Sequence, residues 1–378
     1  MSLKKVIESY KSLIDSENLK LGKLKSQIFQ IGSLRLGIVL LCAFGVYFFW
    51  FNVGQILLCV LVAIVIFLVL MKYHSKLFYR KRYCELLIKN AENELKGIEY
   101  DFSAFDGAPE KANGAHSFSI DLLLFGEHSF FQSINITVTV YGKEDLLETF
   151  LNPNDQKEKI LIAQSIVKEL SEKKGFLDKF RVSGQISETE HLDIKEFVSR
   201  FSDSKLMRKS FWRFMPIVPP LIIAIYLVFS NLLGLPSSMG GVVYTLLLLI
   251  GLLPIKWIVA KMNVFEKRMK SLETYSALFQ VIENEEFESP ELLALQSKIK
   301  SQISASKAIH QLSVYGNNLG QSQNIAGIFV LNPLLSWHII FAIKVEKWLV
   351  ENKENIDQWF SALAQFDSCV SLAIFAYN

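Results

Sequence analysis

Cysteine is scarce in this chain: four residues in 378, with no C-x-x-C pair and no Cys/His spacing. That excludes a disulfide framework, and Cys42, Cys59, Cys84 and Cys369 read as reduced structural thiols. His74, His116, His128, His191, His310 and His338 are scattered with no pair at helix-face ligand spacing, so no metal site is expected. The phosphate-loop pattern G-x-x-x-x-G-K-[ST] is absent, so the chain offers no nucleotide cradle. Ser129 beside His128 is not a nucleophile elbow, because G-x-S-x-G is missing. One-signed charge is lacking too: 40 Lys and Arg against 37 Asp and Glu leave +3, too little to argue for a nucleic-acid partner. No catalytic, cofactor-binding or metal-ligating residue is therefore assigned, and no small-molecule substrate is evident.

What the sequence does have is long uncharged apolar runs, which account for its 51% hydrophobic content and mean hydropathy of +0.29. Residues 34–51 and 56–71 flank a turn at 52–55. Residues 214–235 and 241–260 flank a second turn at 236–240. Each arm has about the length a helix needs to cross a hydrocarbon layer of about 30 Å. Basic residues crowd the outer flanks and neither turn carries a charge. Lys20, Lys23, Lys25 and Arg35 precede the first hairpin, and Lys72, Lys76, Arg80, Lys81 and Arg82 follow it. Lys205, Arg208, Lys209 and Arg213 precede the second, and Lys256, Lys261, Lys267, Arg268 and Lys270 lie at its end and beyond. By the positive-inside rule both turns lie outside and the remaining segments, with both termini, are cytoplasmic. This is the pattern of a multi-pass inner-membrane protein whose first partner is the lipid bilayer. Apart from Arg35 and Lys256 near their ends, the arms carry no Asp, Glu, Lys, Arg or His, so they read as anchors rather than a transport path. Roughly thirty polar residues precede the first arm and a second arm follows at once, so the N-terminus does not read as a cleavable signal.

The remaining segments are helical in pattern. Residues 1–33 form an amphipathic helix with Val6, Tyr10, Leu13, Leu21 and Leu24 on one side, and 72–98 continue as a helix with Tyr83, Leu86, Leu87 and Leu95. Residues 101–114 read as a loop. The β-branched run 136–140 has local strand propensity. Helical spacing returns over 143–150 and over 155–172, where Ile160, Ile162, Ile166, Val167 and Leu170 make the apolar side. Further short helices are expected over 173–204 and a helix over 264–283. Ser289 is the expected cap of a helix over 290–312. Residues 316–327 are polar and glycine-rich. Two long helices, 329–352 and 356–377, carry Trp337, Trp348, Trp359 and Phe366 as buried aromatics.

Residues 116–184 resemble the core (lever) domain of the MutS family of DNA mismatch repair ATPases, most closely its membrane-anchored branch. The resemblance rests on Asp121, Leu122, Phe125 and Gly126, then Ser129, Phe131, Ile134, Asn135, Thr137, Thr139 and Gly142, then Leu147, Leu151 and Pro153. Ala163, Gln164, Val167, Glu169 and Leu170 match the following helix. Glu346-Lys347-Trp348, Trp359, Phe366-Asp367-Ser368 and Ser371-Leu372-Ala373 resemble the last core helices before the ATPase domain. Ile136 stands where the family often has Arg, and Phe150 where it often has Trp. The resemblance implies that 136–140 is a helix junction with a Thr capping the second helix, not a strand.

The fold expected is all-α: a MutS-like helical core (lever) domain with two transmembrane helical hairpins, four spans in all. Its expected parts are the helix 1–33, hairpin 34–71, first core part 72–213, hairpin 214–260 and second core part 261–378, ending before the expected ATPase domain. The resemblance further implies ATP and Mg for that ATPase domain, outside this chain, with a homodimer and double-stranded DNA as partners. The family's mismatch-reading N-terminal domain has no counterpart in this sequence. A noncatalytic membrane scaffold that retains the lever fold is the alternative.

Overall fold

The computed structural model describes residues 2–112, 118–187, 210–234, 236, 238–252, 269–300 and 303–378. Every regular element among them is helical. The chain divides into two compact units, neither continuous in sequence: Met1–Ile136 with Ser171–Ile186 and Ser371–Asn378, and Thr137–Leu170 with Ser187–Val370.

The first unit is built on two helices of 46 residues each, α1 (Leu3–Phe48) and α2 (Val53–Ile98), packed as an antiparallel pair. At about 1.5 Å per residue each is about 70 Å long, more than twice a hydrocarbon thickness. The expected amphipathic helix and the first membrane arm are thus one rod. No residue in the most apolar stretch of each helix is buried, as suits a lipid-facing surface. There the helices meet closely, since a Cβ on Gly45 would lie 2.6 Å from Cys59 Sγ. Where the apolar stretch ends, Arg35 lies over the Phe67 ring at 4.7 Å and meets His74 Nδ1 at 3.2 Å. Below it Val6, Tyr10 and Ala91 are buried with Leu13, Leu95 and Tyr377, and α6 (Lys174–Gln185) packs Val182 against Leu86 and Leu87.

The loop after α2 is shaped by Gly107, which presses on the backbone of Gly126. Gly126 N donates to Gly107 O at 2.8 Å, and a Cβ at 107 would sit 2.1 Å from Gly126 O. Gly126 has φ +105°, a conformation open to glycine. Ser129 then caps the short α3 (Phe130–Ile134), its hydroxyl accepting from Gln132 N at 3.1 Å.

The second unit holds α4 (Val140–Leu151), most of α5 (Lys157–Glu172), the second apolar hairpin and the helices described after it. The hairpin consists of α7 (Val218–Leu233), entered through Pro219 and Pro220 and closed by Gly234 at φ +61°, and α8 (Ser238–Leu252). α9 (Met269–Glu283) packs on α11 (Ala305–Gln321), with α10 (Pro290–Ile299) between them in sequence. A π-helical turn at Gly327–Leu331 and α12 (Asn332–Leu335) lead into α13, which runs from Trp337 to Tyr377. Trp359, Phe360 and Phe366 on α13 are fully buried, with Phe360 between Tyr275 at 5.0 Å and Tyr141 at 5.1 Å.

Among the described residues, four helical stretches are long and apolar enough to cross a membrane: α1, α2, residues Trp212–Leu233 and α13. The first three expose their apolar windows. That of α13 is 61% buried inside the protein, and the helix carries Lys344, Glu346, Lys347, Glu351, Lys353, Glu354 and Asp357, so α13 is a core helix. The expected fourth span, 241–260, is described only to Leu252, as the 15-residue α8; its remainder lies outside the described residues.

Several expected boundaries move. The glycine-rich stretch from 316 is helical as far as Gln321, because Gly316 is buried on the inner face of α11. The two helices expected over 329–352 and 356–377 are one from Trp337 onward. Glu351, Lys353 and Glu354 face solvent while Asn352 and Ile356 face the core, so the polar run keeps helical phase. Ser289 occupies the cap position of α10, but its hydroxyl bonds nothing in the protein; Glu169 instead accepts from the N–H groups of Glu288 and Ser289, each at 2.8 Å. Trp337 is only half-buried. The expected helices over 188–204 and 264–268 lie outside the described residues.

Candidate functional site

Four of the residues that carry the resemblance, Thr139, Gly142, Asp367 and Ser368, lie around the first turns of α4. As expected there, 136–140 is not a strand: Thr139 is the cap of α4, its hydroxyl accepting from Gly142 N at 2.9 Å. Asp367, reaching from α13 in the same unit, is fully buried. It accepts from Val138 N at 3.1 Å, from Thr139 N at 2.8 Å and from the Thr139 hydroxyl at 2.6 Å. The carboxylate thus fills the positive end of α4, where free N–H groups converge. Gly142 leaves the room this needs, since a Cβ there would lie 2.2 Å from Asp367 Oδ2. One turn on, Ser368 donates to Asp145 Oδ2 at 2.5 Å.

Burial pushes Asp367 up to about 7, against the three hydrogen bonds, which favour the anion. Asp145 is also raised by burial, with the Ser368 bond opposing. In the first unit, Ser371 Oγ donates to Ile134 O at 2.7 Å and accepts from Ile136 N at 2.8 Å, holding the open end of α3.

Other matched residues shape backbone rather than form a pocket. Asn135 Nδ2 donates to Asp106 O, and the unmatched Gln132 nearby donates from Nε2 to Phe105 O. Phe125 packs on Phe131 at 5.4 Å. Asp121 and Leu122 are exposed. Of the expected apolar side of α5, Ile166 and Leu170 are buried, whereas Ile160 and Ile162 stay exposed.

A second polar cluster, in the first unit, was not anticipated from sequence. Arg181 on α6 bonds Glu94 on α2, both side chains nearly fully buried. Glu94 also accepts from Asn378 Nδ2 at 2.7 Å, and Asn378 Oδ1 accepts from the Tyr10 hydroxyl at 2.7 Å. Lys174 Nζ lies 4.1 Å from the Tyr10 ring centre and 3.3 Å from Asp178. Burial lowers Lys174 and raises Asp178. The cavity among these groups is about 10 Å³, the space of a single water, so the cluster is a clamp and not a substrate site. The signal was available: Arg181 interrupts the buried apolar face of Phe176, Leu177 and Phe180 on α6.

Among the described residues no group of His, Cys, Asp and Glu could hold a metal; His116 and His191 lie outside them. His338 is buried, which lowers it to about 4 and keeps it neutral. No family model matches the chain, and no curated protein or solved structure matches it.

Proposed function

We propose that this chain is the membrane-anchored helical lever of a MutS-like protein, held in the inner membrane by its apolar hairpins, with its helical units and both termini on the cytoplasmic side. The observation that carries this reading is the α4 junction. Thr139 and Asp367, 228 residues apart, belong to the two separate stretches that resemble the MutS core, and they are bonded to each other. A lever needs such a joint: a buried, fully bonded contact means α13 cannot shift without carrying the start of α4 with it. In this reading an ATPase domain encoded with the chain would supply ATP and Mg chemistry. This chain's own residues would couple the movement to a second copy or to double-stranded DNA. The coding sequence tests it: a phosphate loop read in frame beyond Asn378 is expected, and a reading frame without one contradicts the proposal.

The near-balanced charge of +3 favours a second reading, a noncatalytic membrane scaffold that keeps the lever fold without the DNA role. A duplex-DNA gel shift with detergent-solubilised protein separates the two. The lever reading expects binding that weakens steeply with salt, as phosphate contacts do, and the scaffold reading expects none even at low salt.

A further inference from the structure

Residues 325–335 are the most apolar exposed part of the second unit outside its hairpin, and no function has yet been assigned to them. Ile325 is 80% exposed, Val330 50% and Phe329 49%, and Ala326 is exposed beside them. These positions share one helical face. From Ala308 to Ile343 the sequence carries no Asp, Glu, Lys or Arg.

The segment packs on the second hairpin. The π-helical turn touches α8, and α12 touches both α7 and α8. Gly251 on α8 gives the close approach: a Cβ there would lie 3.4 Å from the backbone of Asn332. Higher on α8, the Tyr244 hydroxyl donates to Phe329 O at 2.5 Å. From Gly251 to Tyr244 is about 10 Å along a helix, so the segment climbs the hairpin well inside the uncharged run 241–255.

The break between helices that precedes it, at 322–324, is bonded from within the protein. Asn332, 1% exposed, donates from Nδ2 to Ser322 O at 2.9 Å, and Asn324 Oδ1 accepts from Gly327 N at 2.7 Å. With the Tyr244 bond, side chains serve backbone groups that a break between helices would leave open. Non-helical backbone at membrane depth requires this. The base of the segment is closed by Trp337 Nε1, which donates to Asn318 O at 2.9 Å, so the chain enters and leaves at one place.

We propose that residues 325–335 form a re-entrant membrane segment, its Ile325, Phe329 and Val330 face covered by lipid hydrocarbon beside the second hairpin. The inference rests on the reading that this hairpin is in the membrane. It adds a lipid-embedded element that the hydropathy pattern did not mark, and it makes the second anchor more than a pair of helices.

Photo-crosslinking in proteoliposomes tests it, with p-benzoylphenylalanine placed singly at Phe329, Val330 or Ile325. Leu227 on the hairpin is the lipid-facing control and Leu293 on α10, 44% exposed, the water-facing control. Lipid adducts at the three test positions should match those at Leu227 and exceed those at Leu293 roughly tenfold. Adducts at Leu227 with none at the test positions, or test positions that label as weakly as Leu293, overturn the re-entrant segment alone. Absence of adducts at Leu227 as well overturns the hairpin reading and this inference with it. Three test positions keep the result decisive where one substitution fails to fold.

Discussion

Asp367 is a buried acid whose three hydrogen bonds oppose its desolvation, and the balance has a sign that can be measured. Its proton is held more tightly in the folded state, at about 7 against an ordinary 3.8. The stabilisation linked to that proton is therefore full below the ordinary carboxylate range and is lost as pH rises through about 7. Asp367→Asn should remove this component. Between about pH 5 and about pH 8 the melting temperature of the native protein in detergent should fall more than that of the variant, and parallel profiles would contradict the assignment. Arg181 and Glu94 make a different case, because two buried charges neutralise each other. Arg181→Ala should cost about 3–5 kcal/mol by leaving the buried Glu94 charge without its cation, and the double variant with Glu94→Leu should recover much of it. A double-mutant cycle by denaturant titration checks this.

Among the elements, the α1–α2 pair and the α4 cap give the clearest tests. Thr139→Ala removes the hydroxyl that serves Gly142 N and Asp367, and should cost at least about 1 kcal/mol, the usual worth of a helix cap. A Cβ on Gly45 would stand 3.9 Å from Cys59 Cβ, within the span of a disulfide. Gly45→Cys should therefore cross-link to Cys59 on oxidation, with loss of two free thiols by mass spectrometry; thiols that stay free would mean the helices are not paired in this register. Much at this scale was legible beforehand. The apolar runs of α1 and α2, the helix at 155–172 and the 136–140 junction could all be read from residue pattern or resemblance. The continuous α13 could not, because Glu351, Lys353 and Glu354 look like a break until the buried Asn352 and Ile356 reveal the phase. Nor could the cap of α10, where a carboxylate from Glu169, remote in sequence, replaces the adjacent Ser289.

At the scale of the molecule, the sequence made the membrane anchoring and the all-helical character plain, through long uncharged runs and 3.6-residue spacing. It did not reveal the α4 junction as a contact, since nothing local to Thr139 indicates a partner 228 residues away. The interleaving of the two units was hidden for the same reason. The sidedness proposed from the basic flanks has its own test: a membrane-impermeant thiol reagent applied to intact cells should label Gln55→Cys in the first turn while sparing Lys96→Cys at the far end of α2. The claim that matters most is that this anchored helical body is a lever driven by a MutS-type ATPase. Its most direct test is ATP hydrolysis by the complete gene product, purified in detergent and reconstituted in lipid. The account predicts Mg-dependent ATP binding and turnover; a folded product that neither binds nor hydrolyses ATP would contradict it.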